Sequence, residues 1–136
     1  MTYEEIVEGY SRYASKLEGV SDTLPYDLRA GYDGEQYLEF GTDGKVFILA
    51  KSRGRETYRY ETSCLDDLLY VTFKAQCKGL GLKYELEHRD DSKDWRRIGF
   101  PYAIQQMGKL SLQWQKRMEK EISELLARSP YQDRDR

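Results

Sequence analysis

His88 is the one histidine of the chain, and it closes the run Glu85-Leu86-Glu87-His88-Arg89. An imidazole that titrates near neutrality beside a carboxylate is the minimum equipment for ribonuclease-like acid–base catalysis. His88 with Glu85 or Glu87 is therefore the acid–base pair that can be drawn. The same run at a helix end is also ordinary solvated sequence, and a surface or hydrogen-bonded histidine accounts for it without chemistry. A metal site would need His88 together with carboxylates or thiols at ligand spacing, and the sequence holds no CxxC, HExxH or EF-hand pattern. Gly79-Leu80-Gly81 is too short for a phosphate loop and lies inside a helical pattern. No catalytic residue, metal or cofactor is assigned, and the protein is expected not to be an enzyme. The alternative, a small hydrolase, predicts that His88→Ala abolishes an activity while the fold survives.

Trp95-Arg96-Arg97 sets an aromatic beside two cations, a pattern that suits nucleic acid. An alternative function follows: a small nucleic-acid-binding regulator using Trp95, Arg96, Arg97 and the basic last helix, with steeply salt-dependent binding. A structural role competes with it. Two arginines at a helix start oppose the helix dipole and need acids nearby. Glu85, Glu87, Asp90, Asp91 and Asp94 are close in sequence, and a bidentate arginine–carboxylate pair would lock the junction between two helices. The structural role is the expectation. On one face of a strand, Glu35, Tyr37 and Glu39, with Asp33 and Asp43 beside them, form an acidic patch carrying an aromatic, which suits a basic protein partner.

The elements that must position these groups read as an α+β domain in the order α-β-β-β-α-α-α, with residues 1–136 as a single domain. Thr2-Tyr3-Glu4-Glu5 reads as a capping box. Ile6, Tyr10, Tyr13, Ala14 and Leu17 follow at helical spacing, and Gly19 ends the helix. A loop through Leu24-Pro25-Tyr26 leads to a three-stranded antiparallel meander. In its first strand Gln36, Leu38 and Phe40 alternate with Glu35, Tyr37 and Glu39, which predicts one buried face and one outward face. Asp43-Gly44 marks the hairpin turn. Val46–Ala50 is an apolar run expected at the centre of the sheet, Ser52-Arg53-Gly54-Arg55 turns the chain again, and Thr57–Thr62 is the third strand.

Ser63 is expected to cap a long helix carrying Leu65, Leu68, Leu69, Phe73, Cys77, Leu80 and Tyr84. Gly79 and Gly81 within it predict a bend or a close helix contact. Ser92 or Asp94 should open the third helix, where Pro101 should set a kink or the true start. Ser111 caps the last helix, with Trp114, Met118, Ile122, Leu125 and Leu126 as its stripe and Ser129-Pro130 as its stop. Gln132–Arg136 is expected to be a frayed, charged tail.

The chain has 136 residues and a net charge of −2, which favours neither nucleic acid nor membrane as a partner. The charge is unevenly spread: residues 1–50 hold ten acids against four bases, and residues 96–136 hold nine bases against five acids. Cys64 and Cys77 lie thirteen residues apart on one predicted helix. That places them roughly 20 Å apart, too far for a disulfide. Free thiols, with no signal peptide, membrane span or lipidation motif in view, predict a cytoplasmic protein.

The second half resembles a family of bacterial immunity proteins, numbered sixty-three among those that accompany polymorphic toxins. The residues that carry the resemblance are Leu65-Asp66-Asp67-Leu68-Leu69-Tyr70, Tyr84-Glu85-Leu86, Asp94-Trp95-Arg96-Arg97, Phe100, Gln105, Leu110, Trp114, Glu121-Ile122, Leu125 and Pro130-Tyr131. The match covers roughly residues 60 to 132, and Pro101 and Gly108 stand where the pattern leads one to expect helix formers. The resemblance implies a stoichiometric inhibitor of the contact-delivered C-terminal toxin domain of a large secreted protein, often a nuclease, acting by covering or distorting its active site. The shared residues read as scaffold, so discrimination between toxins should lie outside them. The expected partner contacts are Glu35, Tyr37, Glu39 and Asp43, followed by Asp90, Asp91 and Asp94.

Overall fold

The computed structural model describes residues 1–31 and 33–134. Its elements are α1 (Tyr3–Ala14), β1 (Asp33–Phe40), β2 (Val46–Ser52), β3 (Arg55–Thr62), α2 (Leu65–Glu87), α3 (Arg96–Gly108) and α4 (Leu112–Arg128). This is the expected order, with the strands in one antiparallel sheet β1-β2-β3. The chain divides into two compact units, Met1–Ala14 with Ser21–Leu69, and Ser15–Val20 with Tyr70–Arg136.

The first unit holds α1 and the sheet. The Thr2 hydroxyl accepts from the Glu5 amide at 3.1 Å, which closes the cap expected there. Ile6 and Tyr10 are fully buried, and the Tyr10 hydroxyl donates to the Ser21 carbonyl. Gly9 lets α1 approach the first turn of α2: a Cβ there would stand 2.9 Å from the Leu69 side chain. β2 is the central strand, and Val46, Ile48, Leu49 and Ala50 are all buried. Asp43 and Gly44 both take positive φ in the first hairpin, and Arg53 and Gly54 do so in the second. Those are the backbone signs that match the right-handed twist of paired strands.

β1 departs from the alternation expected of it. Tyr37 is 7% exposed and Phe40 is 42% exposed, the reverse of their assigned faces. The cause is the loop before the strand. Asp27 makes a parallel bridge to Tyr37, its amide donating to Gln36 O and its carbonyl accepting from Leu38 N. Leu24 and Tyr26 are buried beside it in sequence, and Leu49, the cross-strand partner of Tyr37, is buried too. A strand covered on both sides at its centre loses the period-two signal. The outward acidic face carrying Tyr37 is therefore not formed.

The second unit is built on the rest of α2 with α3 and α4. Helix α2 begins at Leu65, two residues past Ser63, and the Thr62 hydroxyl accepts from the Cys64 amide. Cys64 is exposed and Cys77 buried, both as free thiols. Burial pushes the Cys77 thiol up to about 12. Gly81 makes the close helix contact: a Cβ there would lie 2.2 Å from the Gly99 carbonyl oxygen of α3. Gly79 faces open space. Helix α3 starts at Arg96 and runs through Pro101 to Gly108. Gly108 leaves room for the Gln115 side chain, whose Nε2 donates to the Ile104 carbonyl at 3.1 Å. Ser111 caps α4 by accepting from the Trp114 amide at 3.2 Å. Trp114 packs on Tyr70 edge to face and on Phe73 in a stack.

Candidate functional site

The junction between α2 and α3 gathers most of the charged residues that the sequence singles out in this half. Asp90 closes a short turn, its Oδ1 accepting from the Ser92 amide and hydroxyl at 3.0 and 2.6 Å. Asp94 does the same for the start of α3, accepting from the Arg96 amide at 3.0 Å. Its carboxylate also takes the Arg96 guanidinium, with Nη2 at 2.8 Å from Oδ2 and Nε at 3.1 Å from Oδ1. The pair is mostly withdrawn from solvent, the two side chains being 14% and 8% exposed. The remaining Arg96 donors reach the Ser129 and Pro130 carbonyls, both at 2.9 Å. The Arg96 hydrogen bonds hold the Asp94 carboxyl far below the usual carboxylate range, with the Gln132 and Arg96 amides adding to the effect.

Arg97 pairs with Asp133, Nε standing 2.9 Å from each carboxylate oxygen, and lies over the Tyr131 ring at 4.1 Å. Asp133 also accepts from the Asp94 amide, and the Arg134 amide donates to Ser92 O. The Arg97 hydrogen bonds, then the Asp94 amide, lower the Asp133 carboxyl. Gln132–Arg134, expected to be frayed, is thus bound along the junction because three backbone or carboxylate groups there have donors and acceptors to receive it. The rest of that tail, Asp135 and Arg136, lies outside the described residues. The arginine–carboxylate lock is present as expected, although the acid for Arg97 comes from the C-terminal segment. Both arginines of the nucleic-acid alternative are engaged in this lock. Trp95 remains 39% exposed at the edge of a polar cavity of about 490 Å³ that Arg89, Asp91, Lys93 and Arg134 also line.

The Glu85–His88 pair is not assembled, and Glu87, the other acid of that reading, is exposed. Glu85 is buried and takes Arg89, at 3.2 Å from Nε to Oε1. The His88 Nδ1 donates to the Tyr84 carbonyl at 2.9 Å. The His88 ring stacks on Tyr84 at 4.0 Å, and Tyr84 stacks in turn on Tyr102 at 4.1 Å. Among the described residues no group of three or more His, Cys, Asp or Glu is placed to hold a metal ion. A second charged group sits on α2 and α4. Glu121 accepts from the Tyr70 hydroxyl and from Lys74 Nζ at 2.9 Å, with Arg117 over the Tyr70 ring at 4.0 Å. Burial alone would raise the Glu121 carboxyl, but the donors from Tyr70 and Lys74 outweigh it and hold it low.

The meander residues chosen as partner contacts are dispersed differently. Glu35 turns back on its own loop, its Oε2 accepting from the Asp33 amide at 3.0 Å. Tyr37 is buried, Glu39 is exposed, and Asp43 is exposed at the hairpin tip. What the alternation missed is an apolar groove of about 440 Å³ lined by Tyr3, Leu28, Tyr37, Leu38, Glu39 and Phe40. Leu28 stands 56% exposed at its rim. Its only sequence signal is an apolar residue in a loop, which is too common to single out.

A family model described as Immunity protein 63 matches residues 43–124. No curated protein and no solved structure matches the chain. Among the described residues no helix is long and apolar enough to cross a membrane.

Proposed function

Since the chain belongs to the Immunity protein 63 family, we propose that it binds a cognate toxin domain and neutralises it stoichiometrically, without catalysis. The toxin-neutralising role is that of the family. The finer reading is that the toxin is a nuclease, the C-terminal part of a large secreted protein, that the complex forms in the cytoplasm, and that inhibition covers or distorts the active site. The observation that carries the reading is the family match over residues 43–124. Two features support it. Of the residues drawn for acid–base work, Glu85 is paired with Arg89 and His88 is held against Tyr84. Residues 1–50 hold ten acids against four bases, an excess that suits the basic substrate channel of a nuclease. The partner-contact set of this reading keeps Glu39 and Asp43, with Asp90 and Asp91 second. Glu35, Tyr37 and Asp94 act within the fold.

Co-expression with the toxin domain encoded immediately upstream tests it. Growth should be restored, and the two proteins should co-purify as a stable complex. A folded protein that neither rescues growth nor co-purifies would overturn the reading.

A further inference from the structure

β1 is buried at Tyr37 and Leu38 and becomes exposed at the end of the strand, at Glu39 and Phe40. The Leu38 amide donates outward to Asp27 O at 2.8 Å, so the pairing groups of Leu38 face away from β2. Residues 37, 39 and 41 face β2 instead, as the bond from the Gly41 amide to Lys45 O shows. By the alternation of an antiparallel strand, the Phe40 amide and carbonyl also point to the outer edge, and Phe40 is exposed whereas Leu38 is buried. The bridge from Asp27 is a single residue, and the chain turns off at Leu28, so these groups extend past it. Beside them lies the groove of Tyr3, Leu28, Tyr37 and Phe40, with Leu28 and Phe40 the exposed apolar residues at its rim. An exposed strand end beside an apolar notch can receive an extended segment, the backbone adding affinity and the notch supplying specificity.

We infer that this edge docks an extended segment of the toxin domain, one presenting an apolar side chain flanked by lysine or arginine. The inference rests on the immunity reading and names the surface and the chemistry of its partner. Charge selects the occupant. Residues 1–42 hold nine acids against three bases, and Glu39 lines the groove itself. A second copy of this chain would bring the same acidic excess to the edge and be repelled, whereas a basic segment is attracted. Position agrees with a role in discrimination. Every residue lining the groove precedes residue 43, where the family match begins, so the groove lies outside the matched residues.

The test uses the full chain and the purified, catalytically inactivated toxin domain encoded beside it. Calorimetry should show the dissociation constant rising by about tenfold or more for Leu28→Asp and for Phe40→Asp, as for apolar residues at the centre of an interface. Leu112→Asp, at a 69% exposed site in the other unit, should stay within about twofold. Hydrogen exchange on the unsubstituted protein supplies a second reading that does not depend on a variant folding: the Phe40 amide should slow on complex formation. Wild-type binding with both variants unchanged, or with no slowing at Phe40, overturns the docking site alone. No binding by the wild type overturns the docking site together with the immunity reading.

Discussion

The α2–α3 junction and the β1 strand are the two places where the sequence sets acids beside aromatics, and they have opposite characters. At the junction the main acids and arginines find their partners inside their own unit. Asp94 holds Arg96 and the Gln132 amide, Asp133 holds Arg97, and Glu85 holds Arg89. At β1 the strand is buried at Tyr37 and Leu38, and its end is not: Phe40 and the neighbouring loop residue Leu28 stand out in solvent. Satisfied groups stabilise a fold and have little left for a partner, while an uncovered edge is a liability unless something covers it. The family match covers the α2 and α3 side of the junction and leaves out both β1 and the C-terminal segment that completes the lock.

If the second unit is the rigid scaffold, its close contacts should be the brittle ones. Gly81→Ala would place a Cβ 2.2 Å from the Gly99 carbonyl, a backbone atom that cannot rotate away. Even after the roughly 1 kcal/mol that alanine gains over glycine in a helix, the expected net loss is about 2 kcal/mol, read as a shift of the urea midpoint at unchanged slope. Gly79→Ala, two residues away and facing open space, should stabilise by up to about 1 kcal/mol. Equal effects at the two positions would show that α2 and α3 do not press together at Gly81.

The ion pairs of the junction give a pH dependence of definite sign. Asp94 and Asp133 both titrate below their ordinary values in the folded protein. The unfolded chain therefore takes up these protons first, near the free aspartate value of about 3.9. Their stabilisation is complete above that pH and is lost as pH falls toward the depressed folded values. Melting temperature should fall between pH 5 and pH 3, and Asp94→Asn should be less stable at pH 5 but show a shallower fall. An unchanged slope in that variant would remove Asp94 as a principal source of the dependence. Glu121 offers a milder test in the same unit. Tyr70→Phe keeps the ring against Trp114 and Arg117 while deleting the donor to Glu121, and should cost about 1 kcal/mol by urea unfolding.

How far the sequence reveals each region follows from the range of the interactions that decide it. The element order, the central place of β2, the Thr2 and Ser111 caps and the role of Gly81 are local or periodic properties, and each is present as read. The Arg96–Asp94 lock is likewise legible, because its partners are two residues apart. Asp133 as the partner of Arg97 is thirty-six residues distant, and no short-range rule selects it. The faces of β1 depart from the alternation for the same reason. A loop ending ten residues earlier covers Tyr37, and alternation within a strand carries no information about what a preceding loop does. The proposed recognition surface is thus less legible than the scaffold, since it is made of groups whose meaning depends on what is left exposed.

The smallest effect on stability should carry the most information about the two regions. Glu39 on β1 and Asp91 at the junction are both exposed acids. Reversing either to lysine should change unfolding free energy by no more than about 0.5 kcal/mol, as is usual for exposed surface sites. Their effects on toxin binding should differ. Glu39 lines the groove, so Glu39→Lys places a cation where a basic segment must approach, slowing association by about tenfold at low salt and less as salt screens the repulsion. Asp91→Lys lies at the rim of the polar cavity in the other unit and should leave association within about twofold. A reversed order, with Asp91→Lys the slower binder, would move the interface to the junction and make the lock there part of recognition, because the segment that it holds in place would then be the one that the toxin touches.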